Sequence, residues 1–302
     1  MNTRNRALDL LLALVPMALW GSLFPMVKIG YEALAVDASS IPDVLVFAAL
    51  RFTVCGGLLC AFSALHKEKL ARPKAKSVGM ILLMGAFAIV LHYAFTYIAL
   101  STTDAAKTAL LKQTGVLVYV CFAFLFLKDE TFDVRKLIGA LIGFAGIVAI
   151  NYSPAGIAFS FGDILILLAS ACTVIATVIT HFVASGNSPF WVTGISQLSG
   201  GVILLAAGLV MGGRFPSFGP AGIAVFAYIL AASIAAYVLW TAMLARESVS
   251  RLFIIKFAEP LFACLFGALL LGENILRLQY CAAFFLISAG ILIAERAKEG
   301  KQ

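Results

Sequence analysis

The sequence predicts an all-α membrane protein with ten transmembrane helices, arranged as two inverted five-helix repeats. The 302 residues are 62% hydrophobic and 12% charged, whereas soluble domains are nearer half apolar and a quarter charged. Apolar stretches of about 20 residues recur along the chain, each long enough for a helix to cross a hydrocarbon core of about 30 Å. The second half of the chain also repeats features of the first at a fixed spacing. Helices are expected because lipid offers no hydrogen-bond partner to an exposed backbone.

Ten apolar segments follow one another along the chain. Their approximate spans are 8–28, 41–63, 78–99, 105–127, 136–151, 163–183, 190–211, 221–244, 252–271 and 279–295. The N-terminal run stays apolar through Val27 without a small-residue cleavage site, so we expect an uncleaved first helix rather than a signal peptide.

The basic residues predict the orientation. An even number of crossings puts both termini on one side. With the N-terminus inside, fifteen of the 22 lysines and arginines fall in inner loops or tails and four in outer loops. We therefore expect a multi-pass protein of the cytoplasmic (inner) membrane with both termini in the cytoplasm. The same placement argues against nucleic-acid binding, despite the net charge of +7.

The repeat pairs residues of the two halves. A shift of 144 positions places Lys112 on Lys256 and Tyr93 on Tyr237, and the first and sixth segments align at a shift of 154. An odd number of crossings in each half inserts the second half upside down, an arrangement found in many secondary transporters, whose site lies near the midplane. The predicted halves are residues 1–153 and 154–302.

Three basic side chains fall inside apolar segments. Arg51 is near mid-depth in the second, Lys112 about 10 Å below the outer face in the fourth, and Lys256 about 6 Å from the inner end of the ninth, at 1.5 Å of rise per residue. Because an intramembrane charge is costly, each is a candidate substrate-binding residue. The alternatives are a packing role for Arg51, bonded to carbonyls or a nearby acid, and lysines that snorkel to the interface.

One acid accompanies these bases. Glu259 follows Lys256 by three residues and shares its helical face, so the two can neutralise each other. Gly115 stands at the matching position after Lys112, which leaves three bases against one acid. Two aspartates near segment ends can also contribute, namely Asp43 and Asp104. We infer that an anionic group on the ligand completes the charge.

His92, in the third segment, is either a proton relay or a hydrogen-bonded core residue, and it joins Glu259 as a candidate for proton coupling. Aromatic side chains are candidates to hold the rest of the ligand, although each also suits a packing or interfacial role; they are Trp20, Tyr93, Tyr119, Tyr237 and Trp240.

Other residues within the segments favour structural roles. Four glycines are expected to permit close helix approach: Gly21, Gly115, Gly146 and Gly290. Pro25 and Pro260 are expected to kink their helices and free a backbone carbonyl. The six cysteines all lie in apolar runs without a CxxC pair, so we expect free buried thiols.

Several motifs together resemble the drug/metabolite transporter superfamily, EamA type. They are WGSLFPMVK at 20–28, EPLFACLFGALLLGE at 259–273 and AGILIAERAK at 289–298. The resemblance covers essentially the whole chain and implies two five-helix bundles around a central cavity. Glu259 and Pro260 match the Glu-Pro of the family's ninth helix, whereas the first copy departs from it with Gly115-Val116. Lys112 and Lys256 are not part of the general family pattern.

We therefore expect a secondary transporter for a small organic metabolite bearing an anionic group such as a carboxylate. The nearer alternative is an exporter of cationic or neutral amphipathic compounds that uses Glu259, and the remote one is a non-transporting lipid-handling protein. No HExxH, paired-aspartate or GxxxxGK motif occurs, so we expect neither an enzyme nor a resident metal, cofactor or ATP drive. A monomer or a homodimer is compatible with the sequence.

Overall fold

The structure of the protein is a computed structural model, and most of the residues that it describes are helical. It describes residues 3–66, 72–100, 112, 115, 119, 133–151, 160–247, 249–272 and 278–295. Within these residues there is no β-strand. The all-helical prediction is confirmed for this part of the chain.

The described residues form eleven α-helices and one π-helical stretch. In chain order they are α1 (Thr3–Ala33), α2 (Ile41–Leu65), α3 (Ala75–Gly85), the π segment (Ala86–Leu91), α4 (His92–Leu100), α5 (Val134–Asn151), α6 (Phe161–Ala184), α7 (Pro189–Val210), α8 (Pro220–Leu244), α9 (Val249–Ile255), α10 (Ala258–Leu271) and α11 (Leu278–Glu295).

Seven stretches of the described chain are long and apolar enough to cross a membrane. They coincide with predicted segments one, two, three, six, seven, eight and nine. Helices α5 and α11, each 18 residues long, coincide with segments five and ten. Segment four lies almost entirely outside the described residues, so the count of ten crossings and the inverted repeat stay predictions.

Glycines set the closest helix contacts. A Cβ on Gly56 of α2 would lie 2.2 Å from the Leu198 amide nitrogen of α7, and one on Gly290 of α11 would lie 2.5 Å from the Gly139 carbonyl oxygen of α5. Such distances allow only a hydrogen at these positions, so each pair packs backbone against backbone. Gly21 and Gly115 make similarly close approaches, as the sequence predicted.

Two of the membrane-crossing stretches are irregular. The third changes from α to π geometry over Ala86–Leu91, immediately before His92. The ninth is interrupted at Lys256 and Phe257, between α9 and α10. Because Pro260 has no N–H to offer four residues on, the Lys256 carbonyl instead accepts the Glu259 N–H at 3.0 Å. The predicted kink therefore appears as a break at the lysine itself, whereas the predicted free carbonyl is not seen, because the Lys256 carbonyl accepts another N–H.

An ion pair and hydrogen bonds connect the loop after α7 to the start of α2. The Asp43 carboxylate accepts the Arg214 backbone N–H at 2.9 Å and both Nε and Nη2 of its guanidinium, at 3.2 and 2.9 Å. Ser217 N–H also donates to the Leu34 carbonyl at 2.8 Å. These bonds fix the connection on the side predicted to face outward.

The four cysteines with described side chains are free thiols, as predicted, and Cys55 and Cys172 are buried, whereas Cys60 and Cys264 are only half-buried. The side chains of Cys121 and Cys281 lie outside the described part of the structure.

Candidate functional site

Lys256 lies against an aromatic cluster formed by Trp20 of α1 and Trp240 and Tyr237 of α8. Its ammonium nitrogen is 5.5 Å from the Trp20 ring centroid and 5.8 Å from that of Trp240. Trp20 meets both Tyr237 and Trp240 edge to face, with centroids 5.3 and 5.4 Å apart. Lys256, at the break between α9 and α10, thus places its ammonium group near the faces of Trp20 and Trp240, which attract a cation.

Lys112 lies within electrostatic range of Lys256. The charge of Lys112 acts electrostatically on Lys256 and on His92, and Glu259 acts on Lys256. Lys112, Lys256 and Glu259 are all half-buried. Within the described residues, no Glu259 oxygen approaches the Lys256 ammonium within 4 Å. Glu259 therefore moderates the Lys256 charge without a direct ion pair.

A hydrogen-bond chain leads from Arg51 towards the aromatic cluster. Arg51 of α2 donates from Nη2 to the Tyr93 hydroxyl at 3.0 Å, and that hydroxyl is 3.5 Å from the hydroxyl of Tyr237. The Arg51 guanidinium also lies 4.3 Å from the centroid of the Phe52 ring. Tyr93 and Tyr237, which the predicted repeat pairs with each other, therefore connect the arginine to the ring that packs on Trp20.

His92 is held by α6. Its Nδ1 lies 3.1 Å from the Ala169 carbonyl oxygen and 3.0 Å from the Thr173 hydroxyl oxygen. A carbonyl oxygen can only accept, so Nδ1 carries the hydrogen in that bond and Nε2 is left to gain or lose a proton. The imidazole is buried and hydrogen-bonded, as the packing alternative expected, whereas its role in proton coupling stays a prediction.

Two residues that the sequence suggested for the site, Tyr119 and Asp43, make other contacts in the structure. Tyr119 is buried and stacks on Phe253 with centroids 4.5 Å apart, inside the apolar core one turn before Lys256. Asp43 is engaged by Arg214, so it does not balance the central bases. Asp104 lies outside the described residues.

Sequence reasoning missed the polar face of α6. Ser170 and Thr173 contact the fourth segment and His92, respectively. The signal was present, because Ser170, Thr173, Thr177 and Thr180 recur at spacings of three and four within an apolar helix. Intramembrane hydroxyls at that period mark a face turned towards protein.

The described residues contain no group of three or more His, Cys, Asp or Glu side chains that could hold a metal ion. What they do assemble is a cationic and aromatic centre. Lys256 lies over the rings of Trp20 and Trp240, and Arg51 and His92 both contact Tyr93.

Comparison with known proteins gives a consistent picture. The chain is 27% identical to an uncharacterized transporter of Archaeoglobus fulgidus, over 89% of this chain and 91% of that protein. It is also 27% identical to the uncharacterized inner membrane transporter YedA of Escherichia coli, over 91% and 87%. A WAT1-related chloroplastic protein of Arabidopsis thaliana is 26% identical over 92% of this chain and 67% of its own length.

A solved crystal structure matches with a TM-score of 0.75 and 22% identity, over 95% of this chain and 97% of that chain, which shows a shared fold. The profile of the EamA-like transporter family matches the chain twice, at residues 8–152 and 160–294. The resemblance in the sequence motifs is confirmed: this chain is a multi-pass membrane protein that belongs to the EamA-like transporter family.

Proposed function

We propose that this protein is a secondary transporter that moves a small organic anion, such as a carboxylate, across the cytoplasmic membrane by alternating access. In this proposal residues 1–153 and 154–302 form two inverted five-helix repeats, with both termini in the cytoplasm. The two separate matches of the family profile support the repeat. The transporter names of the relatives, one of them an inner membrane protein, support the activity and the location.

The choice of an anion rests on two lysines that act electrostatically on each other and share one acid, Glu259. Like charges within electrostatic range of each other repel more in a low-dielectric interior than in water. Glu259 acts on Lys256 more strongly than Lys112 does, so one of the two lysine charges is already offset. A carboxylate bound between the lysines would neutralise the positive charge that remains. The buried Trp20 Nε1 has no hydrogen-bond acceptor among the described residues. An indole N–H can only donate, so it too suits an anionic ligand.

The remaining residues would complete the site. The faces of Trp20, Trp240 and Tyr237 would hold an apolar or planar part of the ligand. Arg51 would act on the ligand through Tyr93, to which it donates. His92 and Glu259, both within range of the lysines, are the groups that could carry a coupled proton.

One observation favours a second candidate, an exporter of cationic compounds. The two tryptophan rings already receive the Lys256 ammonium, and the same rings could receive a ligand ammonium with Glu259 as its counter-ion. In that account the lysines serve to neutralise Glu259. A family made up of transporters points away from an enzyme, and a lipid-handling role has no observation in its favour.

Binding of three matched probes separates the two candidates. Benzoate, benzamide and benzylammonium share a planar ring and differ in charge, and tryptophan fluorescence of the purified protein reports occupancy near Trp20 and Trp240. The anion account predicts saturable benzoate binding that Lys112→Gln weakens about tenfold, equivalent to about 1.4 kcal/mol. Benzamide binding should change little. Saturable binding of benzylammonium alone, lost in Glu259→Gln and kept in Lys112→Gln, would establish the cationic account instead.

A further inference from the structure

Ser170 of α6 contacts the backbone of the segment that carries Lys112. The Ser170 hydroxyl donates to the Lys112 carbonyl oxygen at 2.5 Å and accepts the Gly115 N–H at 2.9 Å. Ser170 is 2% exposed, so both bonds are shielded from solvent and lipid. A Cβ on Gly115 would lie 2.6 Å from the Ser170 hydroxyl oxygen. Glycine is therefore what allows the hydroxyl to reach the backbone here.

The second half makes the equivalent connection differently. There the Lys256 carbonyl accepts the Glu259 N–H directly at 3.0 Å, and Pro260 prevents a regular turn. In the first half the same pair of positions, the lysine carbonyl and the N–H three residues later, is bridged by Ser170. Pro16 of α1 stands where the repeat would place a second such serine and has no hydroxyl. The bridge is thus specific to Lys112.

One turn of α6 holds two charged or titratable groups of the site. Ala169 and Thr173 bind His92, and Ser170, between them in sequence, binds the backbone of Lys112. The position of Lys112 relative to His92 is consequently set by α6 rather than by its own segment alone.

We propose that Ser170 is a positioning residue, whose hydroxyl fixes the backbone at Lys112 so that the ammonium faces the anion site. The proposal rests on the proposed function, because it assigns Ser170 an effect only through a lysine that binds the ligand. It predicts that removing the hydroxyl lowers the affinity for anions and leaves the affinity for a neutral probe of the same shape unchanged.

A double-mutant cycle with benzoate tests this coupling. Ser170→Ala should raise the benzoate Kd about three- to tenfold and leave the benzamide Kd within twofold of the wild type. In a Lys112→Gln background, Ser170→Ala should have no further effect on the benzoate Kd, since groups that act through one another are not additive. Thr177→Val is the matched control. Thr177 lies on the same helix, and its buried hydroxyl donates only to the backbone carbonyl of Thr173, one turn earlier. Benzoate affinity should therefore persist in this variant.

Each outcome decides a different question. An unchanged benzoate Kd in Ser170→Ala, or equal losses in both backgrounds, would overturn the positioning role even if Lys112→Gln weakens benzoate as expected. No effect of Lys112→Gln on benzoate would overturn the proposed function itself. If Ser170→Ala does not fold, Gly115→Ala is the second variant, because its methyl group displaces the hydroxyl from both backbone groups. It should give the same selective loss, and unchanged benzoate binding would refute the proposal.

Discussion

Replacement of Lys256 by methionine should make the unliganded protein more stable while it abolishes anion binding. Methionine has a similar volume and fills the same space between the Trp20 and Trp240 rings without a charge. The loss is the attraction to Glu259 and to two rings at 5.5 and 5.8 Å, the latter about 0.5–1 kcal/mol for each ring. The gain is the desolvation cost of a half-buried ammonium, at most several kcal/mol, together with relief of the smaller repulsion from Lys112.

Glu259 limits the opposing cost. Breaking a buried ion pair is strongly destabilising when the other charge is left alone. Glu259, however, is half-buried, does not contact the Lys256 ammonium within 4 Å, and lies in the first turn of α10, where the helix dipole favours a carboxylate. The expected net change is therefore about 1–3 kcal/mol in favour of the Lys256→Met protein, within the range seen when buried ionic groups are replaced by apolar ones.

Equilibrium unfolding in mixed micelles of dodecyl maltoside and dodecyl sulfate, followed by circular dichroism, measures this change. Lys76→Met is the matched control, since Lys76 is exposed near the start of α3 and should leave the free energy of unfolding nearly unchanged. A destabilised Lys256→Met protein would refute the reasoning, because it would mean that the lysine is retained for the fold rather than for a ligand.

Two further predictions concern the scaffold. Gly56→Ala should lower the free energy of unfolding by about 2 kcal/mol or more, because its methyl would meet the backbone of α7 at 2.2 Å. In the same unfolding assay the adjacent Gly57→Ala, with no atom within 4 Å of the new methyl, should not destabilise the protein; equal losses in the two would contradict the packing described. Asp43→Ala should speed tryptic cleavage after Arg214 severalfold, because the carboxylate holds both the backbone and the guanidinium of that residue. An unchanged cleavage rate would show that other contacts, such as that of Ser217, hold the loop.

The sequence predicted the helical class, the family and the positions of most apolar helices, because these follow from hydrophobic runs whose length is set by the bilayer. It did not predict where the helices are irregular. The π segment at Ala86–Leu91 has no proline or glycine inside it, and it packs against α6 and α7. A helix irregularity near Pro260 was expected, but its position was not. The helix is interrupted at Lys256 because the Lys256 carbonyl accepts the Glu259 N–H.

The candidate site was predicted as a set of residue types and not as an arrangement. Spacing placed Lys256 and Glu259 on one face, and that pair does interact electrostatically. Contacts between helices, such as Arg51 with Tyr93 and Lys256 with Trp20, depend on how the helices pack, which a single sequence does not specify. The clearest omission was Ser170, since a hydroxyl that binds another segment's backbone looks, in sequence, like any small residue of an apolar helix.

Transport by reconstituted protein tests the central claim most directly. Proteoliposomes preloaded with unlabelled benzoate would be diluted into labelled benzoate. Parallel vesicles would be preloaded with unlabelled benzylammonium and diluted into labelled benzylammonium. The anion account predicts counterflow of benzoate in the wild type, a loss of at least tenfold at subsaturating benzoate in Lys112→Gln and in Lys256→Gln, and no counterflow of benzylammonium. Counterflow of benzylammonium that survives both lysine substitutions and disappears in Glu259→Gln would contradict the account.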